Sequence, residues 1–316
     1  MTGRLPTEAE VLGYFESCSN WGRWGNDDEV GTLNFITPER RRRAAGLVRD
    51  GRTVSCARLI PTSTSEEDFP SPPLHFMTSS GDRWTDKATP PDSLQSAGDF
   101  IGLAFHGFAV THVDSLCHIF RDGRMYNGHP ASEVSTASGA AIQSIDVARD
   151  GIVGRGVLLD IARLRGVDWL EPGEGVFPED LEAAERAAGV EVGPGDILLC
   201  RFGTVAMRNA HGPSKGVFDR RPGLHAACCP WLHERQVSAL GSDTAQDLFP
   251  SGYSGLRAPM HQVGIVAMGL WLIDNCDLEA LGDICAETRR AEFLLTVGAL
   301  RIEHGTGSPV NPIAMF

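Results

Sequence analysis

The run His106-Gly107-Phe108-Ala109-Val110-Thr111-His112-Val113-Asp114-Ser115-Leu116-Cys117-His118 places three imidazoles and one carboxylate within thirteen residues. Phe108, Val110, Val113 and Leu116 among them give the run the look of a buried strand. Side chains alternate faces along a strand, so His112 and Asp114 point the same way and His106 shares their parity. Cys117 has the opposite parity and faces away. Burying such a polar cluster is costly unless its members are paired or metallated. Neutral imidazole with carboxylate suits zinc or manganese, and N/O ligation alone does not choose between the two. In well-studied zinc sites the bound cation lowers the pKa of its water to roughly 7, which supplies hydroxide at neutral pH.

A second pair of ligand types lies far downstream. Leu270-Trp271-Leu272-Ile273-Asp274 reads as an apolar strand closed by an acid, after a buried helix over Met260-His261-Gln262 to Met268 that ends at Gly269. Asp274 with Asn275 caps the turn before Asp277-Leu278-Glu279, or else joins His261 in supplying distant metal ligands. Other chemistries find no support. There is no GxGxxG, Walker A or GxSxG pattern; Gly252-Tyr253-Ser254-Gly255 has the wrong spacing for a nucleophile elbow, and His233-Glu234-Arg235-Gln236-Val237 fails HExxH at its fifth residue. Arg40 to Arg43 reads as a solvated helix face. His75, His129, His211, His225, His233 and His304 are scattered and read as surface or structural residues.

The elements that must position these residues alternate. Thr37-Pro38-Glu39 marks a helix start running through Ala45, Leu47 and Val48. Strands are expected near Arg52–Ile60, Leu74–Thr78, Arg155–Ile161 and Gly195–Phe202, with helices over Pro178–Ala188 and Cys229–Leu240 and a further strand or turn around Ala239–Asp243. Asp122-Gly123 and Asn127-Gly128 are turns, and Pro61 to Gln95 is a long surface excursion. Trp21 to Asn34, rich in Gly, Trp and acid, is a loop that needs fixed packing. The order is α/β or mixed α+β.

The 316 residues form one large domain, residues 1–316, with about the first fifty packing against it or against a neighbouring subunit. A formal charge of -13 repels polyphosphate and argues against nucleic acid, so the expected partner is a small-molecule substrate. No apolar run is long enough to span a membrane and Met1 to Pro6 lacks a signal-peptide core, so a cytoplasmic location is expected. The eight cysteines show no CxxC spacing and read as reduced, buried small hydrophobes.

Thr111-His112-Val113-Asp114-Ser115-Leu116-Cys117-His118 resembles the HxGTHxDxPxH signature of the metal-dependent cyclase family, which includes bacterial kynurenine formamidases and isatin hydrolases. Trp24-Gly25 to Asn34, Tyr126-Asn127-Gly128, Arg155 to Asp160, Gly195-Asp196 and the His261 to Asp274 stretch are similar to its longer branch. The resemblance implies a swivelling β/β/α fold, a mixed β-barrel-like sheet with surrounding helices, in a homodimer or homotetramer. It also implies that His112 and Asp114 bind a divalent metal and that His118 shuttles protons. Two departures stand out: the family's first histidine falls at Phe108, so that His106 would replace it through a local bulge, and Leu116 replaces the usual proline. Where kynurenine-formamidase-like members use a downstream His and Glu for a second ion, this chain has His261 and the shorter Asp274. These departures point to one zinc or manganese ion held by His112, Asp114 and a third contact from His106 or His261, with His261 a ligand of any second ion.

The function expected is hydrolysis of a small cyclic or acyclic amide or lactone, with water at the metal as nucleophile and His118 moving its proton. A lyase or cyclase working through an enolate, and a non-catalytic metal-binding protein, are the alternatives.

Overall fold

The computed structural model describes residues 4–61, 64–65, 67, 71–85, 94–213 and 220–316. Its spine is a curled, mixed sheet of nine strands: β1 (Thr53–Ser55), β2 (His112–Asp114), β3 (Ile152–Asp160), β4 (Ile197–Arg201), β5 (Ala239–Ser242), β6 (Trp271–Asp274), β7 (Glu292–Val297), β8 (Gly307–Pro309) and β9 (Ile313–Met315). The spatial order is β1-β9-β7-β3-β4-β5-β6-β2-β8. The central four, β3 to β6, are parallel, and the flanking pairs are antiparallel. Parallel strands are covered on both faces, which is why Ile197-Leu198-Leu199-Cys200-Arg201 is buried at every position rather than alternating.

Helices Pro178–Ala188, Cys228–Glu234 and Pro259–Val263 lie between successive parallel strands in the chain. The helix Pro38–Ala45 is capped by the Thr37 side chain on the Arg40 N–H, with Pro38 in its first turn, and Pro178–Ala188 ends at left-handed Gly189. Two expected elements change length. The helix foreseen over Cys229–Leu240 stops at Glu234, because Ala239 and Leu240 pair in parallel with both β4 and β6. The strand foreseen over Arg52–Ile60 keeps only Thr53–Ser55, followed by a single bridge from Ala57 to Cys276.

The N-terminal helix Glu8–Ser17, closed by a Thr7–Glu10 capping box, packs on Cys228–Glu234 and on Pro259–Val263. The loop after it is pinned by Asn20 Nδ2 donating to the Met268 carbonyl (2.8 Å) and Trp21 Nε1 to the Val266 carbonyl (2.7 Å). Those carbonyls belong to one π-turn, Gly264–Met268, which extends the helix bearing His261 and ends at Gly269. At φ +67° and with a hypothetical Cβ 2.6 Å from the Tyr126 ring, position 269 admits only glycine.

Part of the Pro61–Gln95 excursion lies outside the described residues. The rest includes the strand Leu74–Ser79, which pairs antiparallel with Gly98–Gly102 just beyond the excursion, and this hairpin carries stacked Phe76 and Phe100 rings 4.9 Å apart. All eight cysteines are buried and unpaired to one another. No helix among the described residues is long and apolar enough to cross a membrane.

Candidate metal centre

Strand β2 is only three residues long, so the thirteen-residue strand read from the sequence is not one continuous element. Its parity nevertheless holds where it matters: His112 and Asp114 share a face while Val113 enters the core with no exposure. Antiparallel register with β6 sets Asp274 opposite His112, which brings the strand-closing acid to the same face. His112 Nε2 lies 3.5 Å from Asp114 Oδ1 and 4.0 Å from Asp274 Oδ2.

His106 arrives by another route. Residues 103–111 form no strand, and the chain bends back so that His106 Nδ1 lies 2.9 Å from Asp114 Oδ1. The room comes from β8 on the other side of β2, where Gly307 sits opposite Asp114. A Cβ at 307 would meet the Val113 carbonyl oxygen at 2.5 Å and His106 Cε1 at 2.8 Å. The Thr306 hydroxyl, 3.0 Å from His106 Nε2, fixes the far side of the ring. His118 stacks flat on His106, with ring centroids 3.8 Å apart and planes 3° from parallel, and its Nε2 is 4.0 Å from Asp114 Oδ2.

His261 completes the group from the helix Pro259–Val263. Its Nε2 is 3.5 Å from Asp114 Oδ2 and 3.3 Å from Asp274 Oδ2, and its Nδ1 is 2.6 Å from Asp247 Oδ2. Asp247 also accepts the backbone N–H groups of Met260 and His261, and Gln246 Nε2 donates to Asp274 Oδ1 at 3.1 Å. Nothing in the local sequence marks Asp247 or Gln246, since they reach the centre through a loop that pairs with His261 and Asp274 only in the folded chain.

These donors form two overlapping sets, His106–His112–Asp114 and Asp114–His261–Asp274, in which every ligand atom lies within 4.8 Å of the others in its set. The structure therefore brings together all six residues singled out in the sequence, with His261 and Asp274 in the second set. Both Asp114 oxygens and His106 Nδ1 are buried without a hydrogen-bond partner among the described residues. Orphaned buried acceptors of that kind are what a cation would satisfy. The ring orientations agree. His112 Nδ1–H donates to the Val110 carbonyl at 2.9 Å, which leaves the Nε2 lone pair facing the carboxylates; at His261 the contact of Nδ1 with Asp247 orients the ring so that Nε2 faces Asp114 and Asp274. The residues fit a divalent metal ion.

The same groups also shift one another's ionisation. Burial acts to raise the Asp114 carboxyl, but the imidazoles of His118, His112 and His106 hold it below the usual carboxylate range. Burial likewise acts to lower His261, and Asp274 and Asp247 override it, keeping the imidazole well above its ordinary value. Burial dominates at His118, whose imidazole is pushed down to about 4 against the pull of Asp114. His118 is thus a neutral base at neutral pH.

Asp247→Asn should weaken metal binding by about 10–100-fold with the fold intact, the usual cost of losing a carboxylate that orients a ligating histidine. Competition with a chromophoric chelator measures it, and an unchanged affinity removes Asp247 from that role.

The 245–258 loop that carries Asp247 rests on His225. This buried ring accepts the Ala227 N–H at Nδ1 (3.1 Å), and its Nε2 lies 3.3 Å from the Tyr253 hydroxyl. Burial lowers its pKa from the ordinary histidine value. The unfolded chain therefore takes up the proton first, so His225 contributes stability that is full above pH ~6.5 and is lost as pH falls through its folded value. His225→Gln should make the melting temperature less sensitive to pH below pH ~6.5, and an unaltered acid slope counts against this assignment.

Fold and centre together define a mixed α/β chain whose curled sheet carries a buried His/Asp cluster, a candidate cation site. The family model described as "Putative cyclase" matches residues 66–246. A crystal structure described as a novel cyclase matches with TM-score 0.85 and 32% identity, over 96% of this chain and 99% of that one. The chain belongs to the cyclase family. Isatin hydrolase A from Labrenzia aggregata (TM-score 0.58, 20% identity, 86% of this chain and 94% of that one) shares the fold. So does isatin hydrolase A from Ralstonia solanacearum (TM-score 0.58, 18% identity, 99% of each chain). No curated protein matches the chain.

Proposed function

We propose that this protein is a metal-dependent hydrolase of a small amide or lactone. The observation that carries the reading is Asp114, a buried carboxylate with no hydrogen bond to either oxygen and four imidazole nitrogens within 4.0 Å of it. His106, His112 and Asp114 would hold a divalent ion, with Asp114, His261 and Asp274 available to a second. Such an ion polarises a substrate carbonyl and lowers the pKa of water at the site.

The chain's own groups supply the rest. His118 is neutral and 26% exposed, against 1% for Asp114, and its Nε2 lies 4.0 Å from Asp114 Oδ2. From there it takes a proton from the attacking water and returns it to the leaving nitrogen or oxygen. Stacking on His106 keeps the ring from swinging away. The exposed Phe76–Phe100 hairpin supports assembly into a homodimer or homotetramer, because an isolated two-stranded ribbon is marginal in water.

The test is turnover of isatin, an N-formylaniline and a six-membered lactone by the metal-loaded protein in ¹⁸O-water. Hydrolysis places one labelled oxygen in the product. Turnover without label would overturn this reading in favour of an enolate-forming lyase, and a protein that binds no metal would leave it without a basis.

A further inference from the structure

A cavity of about 640 Å³ opens beside the metal centre, at the carboxyl ends of β4, β5 and β6. That end of a parallel sheet is where α/β folds take their ligands. Two of its lining residues are continuous with the metal ligands: Phe108 lies between His106 and His112 in the chain, and Asn275 follows Asp274. Asn275 binds the two segments together, donating from Nδ2 to the Gly107 carbonyl (2.8 Å) and from its backbone N–H to the Thr244 carbonyl (3.0 Å).

The wall carries four arginines, Arg58, Arg208, Arg220 and Arg221, against three acids, Glu67, Glu171 and Asp243, on a chain whose formal charge is -13. Arg58 and Arg208 both point at one carboxylate oxygen, Glu67 Oε2, at 2.8 and 2.9 Å. Among the described residues, Glu67 thus faces two guanidiniums. Arg58 is further fixed through the Phe108 carbonyl at 2.6 Å, whereas Arg208 meets Glu67 through Nε and keeps its side chain 31% exposed. Asp243, also in the lining, is turned to the backbone, accepting the N–H groups of Phe202, Gly203 and Thr204 at 2.9, 2.7 and 2.9 Å. Phe108 and Trp169 supply flat apolar surface, the former with the Arg221 guanidinium 4.2 Å above its ring.

We infer that the substrate is a planar, aromatic-sized molecule bearing a carboxylate, which Arg208 and Arg58 read while Phe108 and Trp169 flank its ring. This rests on the metal centre as the reacting end. Stacking uses the faces of a ring and guanidinium pairing uses the edge of a carboxylate, so one flat acid satisfies both at once.

Calorimetric titration with 2-naphthoate and with its neutral isostere naphthalene-2-carboxamide tests this. The acid should bind about 10-fold or more tightly than the amide, as one charge-assisted hydrogen bond in place of a neutral one predicts. Arg208→Met should abolish the preference while the amide's affinity is unchanged. His112→Ala, which removes a metal ligand, should retain the preference. Equal binding of acid and amide by the unaltered protein overturns the inference without need of any variant. Loss of the preference in His112→Ala also overturns it, by showing that the acid is held at the metal. A protein that binds no metal yet keeps the preference refutes the proposed hydrolysis and leaves this inference standing.

Discussion

Asp114→Ala is expected to purify as a folded protein without tightly bound metal and to lose activity by about 10³–10⁵, several kcal/mol of transition-state stabilisation. Folding should survive because neither carboxylate oxygen makes a hydrogen bond, so the substitution strands no donor. The loss of metal should be complete because Asp114 belongs to both ligand sets. His106→Ala, in contrast, removes a ligand from one set only and should leave the ions of the other. Elemental analysis of the parent, Asp114→Ala and His106→Ala separates one bound ion from two. If Asp114→Ala keeps the parent's metal content, the centre is misassigned.

His118→Ala should keep its metal and its fold and lose about 10²–10⁴ in kcat, the contribution of one positioned acid–base group. The contrast with Asp114→Ala comes from geometry: His118 Nε2 stands 4.0 Å from the nearest Asp114 oxygen, whereas His106 Nδ1 stands at 2.9 Å. His118 also belongs to neither ligand set. Exogenous imidazole should restore part of the lost rate to His118→Ala and none to Asp114→Ala. Metal lost together with activity would make His118 a ligand, and unchanged turnover would remove it from the chemistry.

What could be read from the sequence was local. His112 and Asp114 followed from strand parity, Asp274 from an acid closing an apolar run, and the helices at Pro38 and Pro178 from their caps. The approach of His106 was not legible as geometry, because it depends on an absent side chain at Gly307, two hundred residues downstream, and on a backbone bend that no parity rule describes. Asp247 was invisible for a similar reason, since its partner is set by how the loop after β5 folds over the next helix. The helix that ended early at Glu234 shows the same limit: Ala239 and Leu240 are helix-compatible residues claimed by two parallel neighbours. Phe108, where the family's first histidine would stand, lies in the cavity wall instead, so the departure that looked like a missing ligand coincides with a flat apolar surface.

Asp274 and Asn275 are consecutive, one at the metal centre and the next in the cavity wall, with Asn275 in the left-handed region at φ 56°. Neighbouring Cα atoms across a trans peptide are always about 3.8 Å apart. The chain therefore measures the distance from binding wall to reacting centre with a covalent ruler. Substitutions elsewhere in the cavity would change its shape, while the offset between these two positions stays set by a single peptide unit.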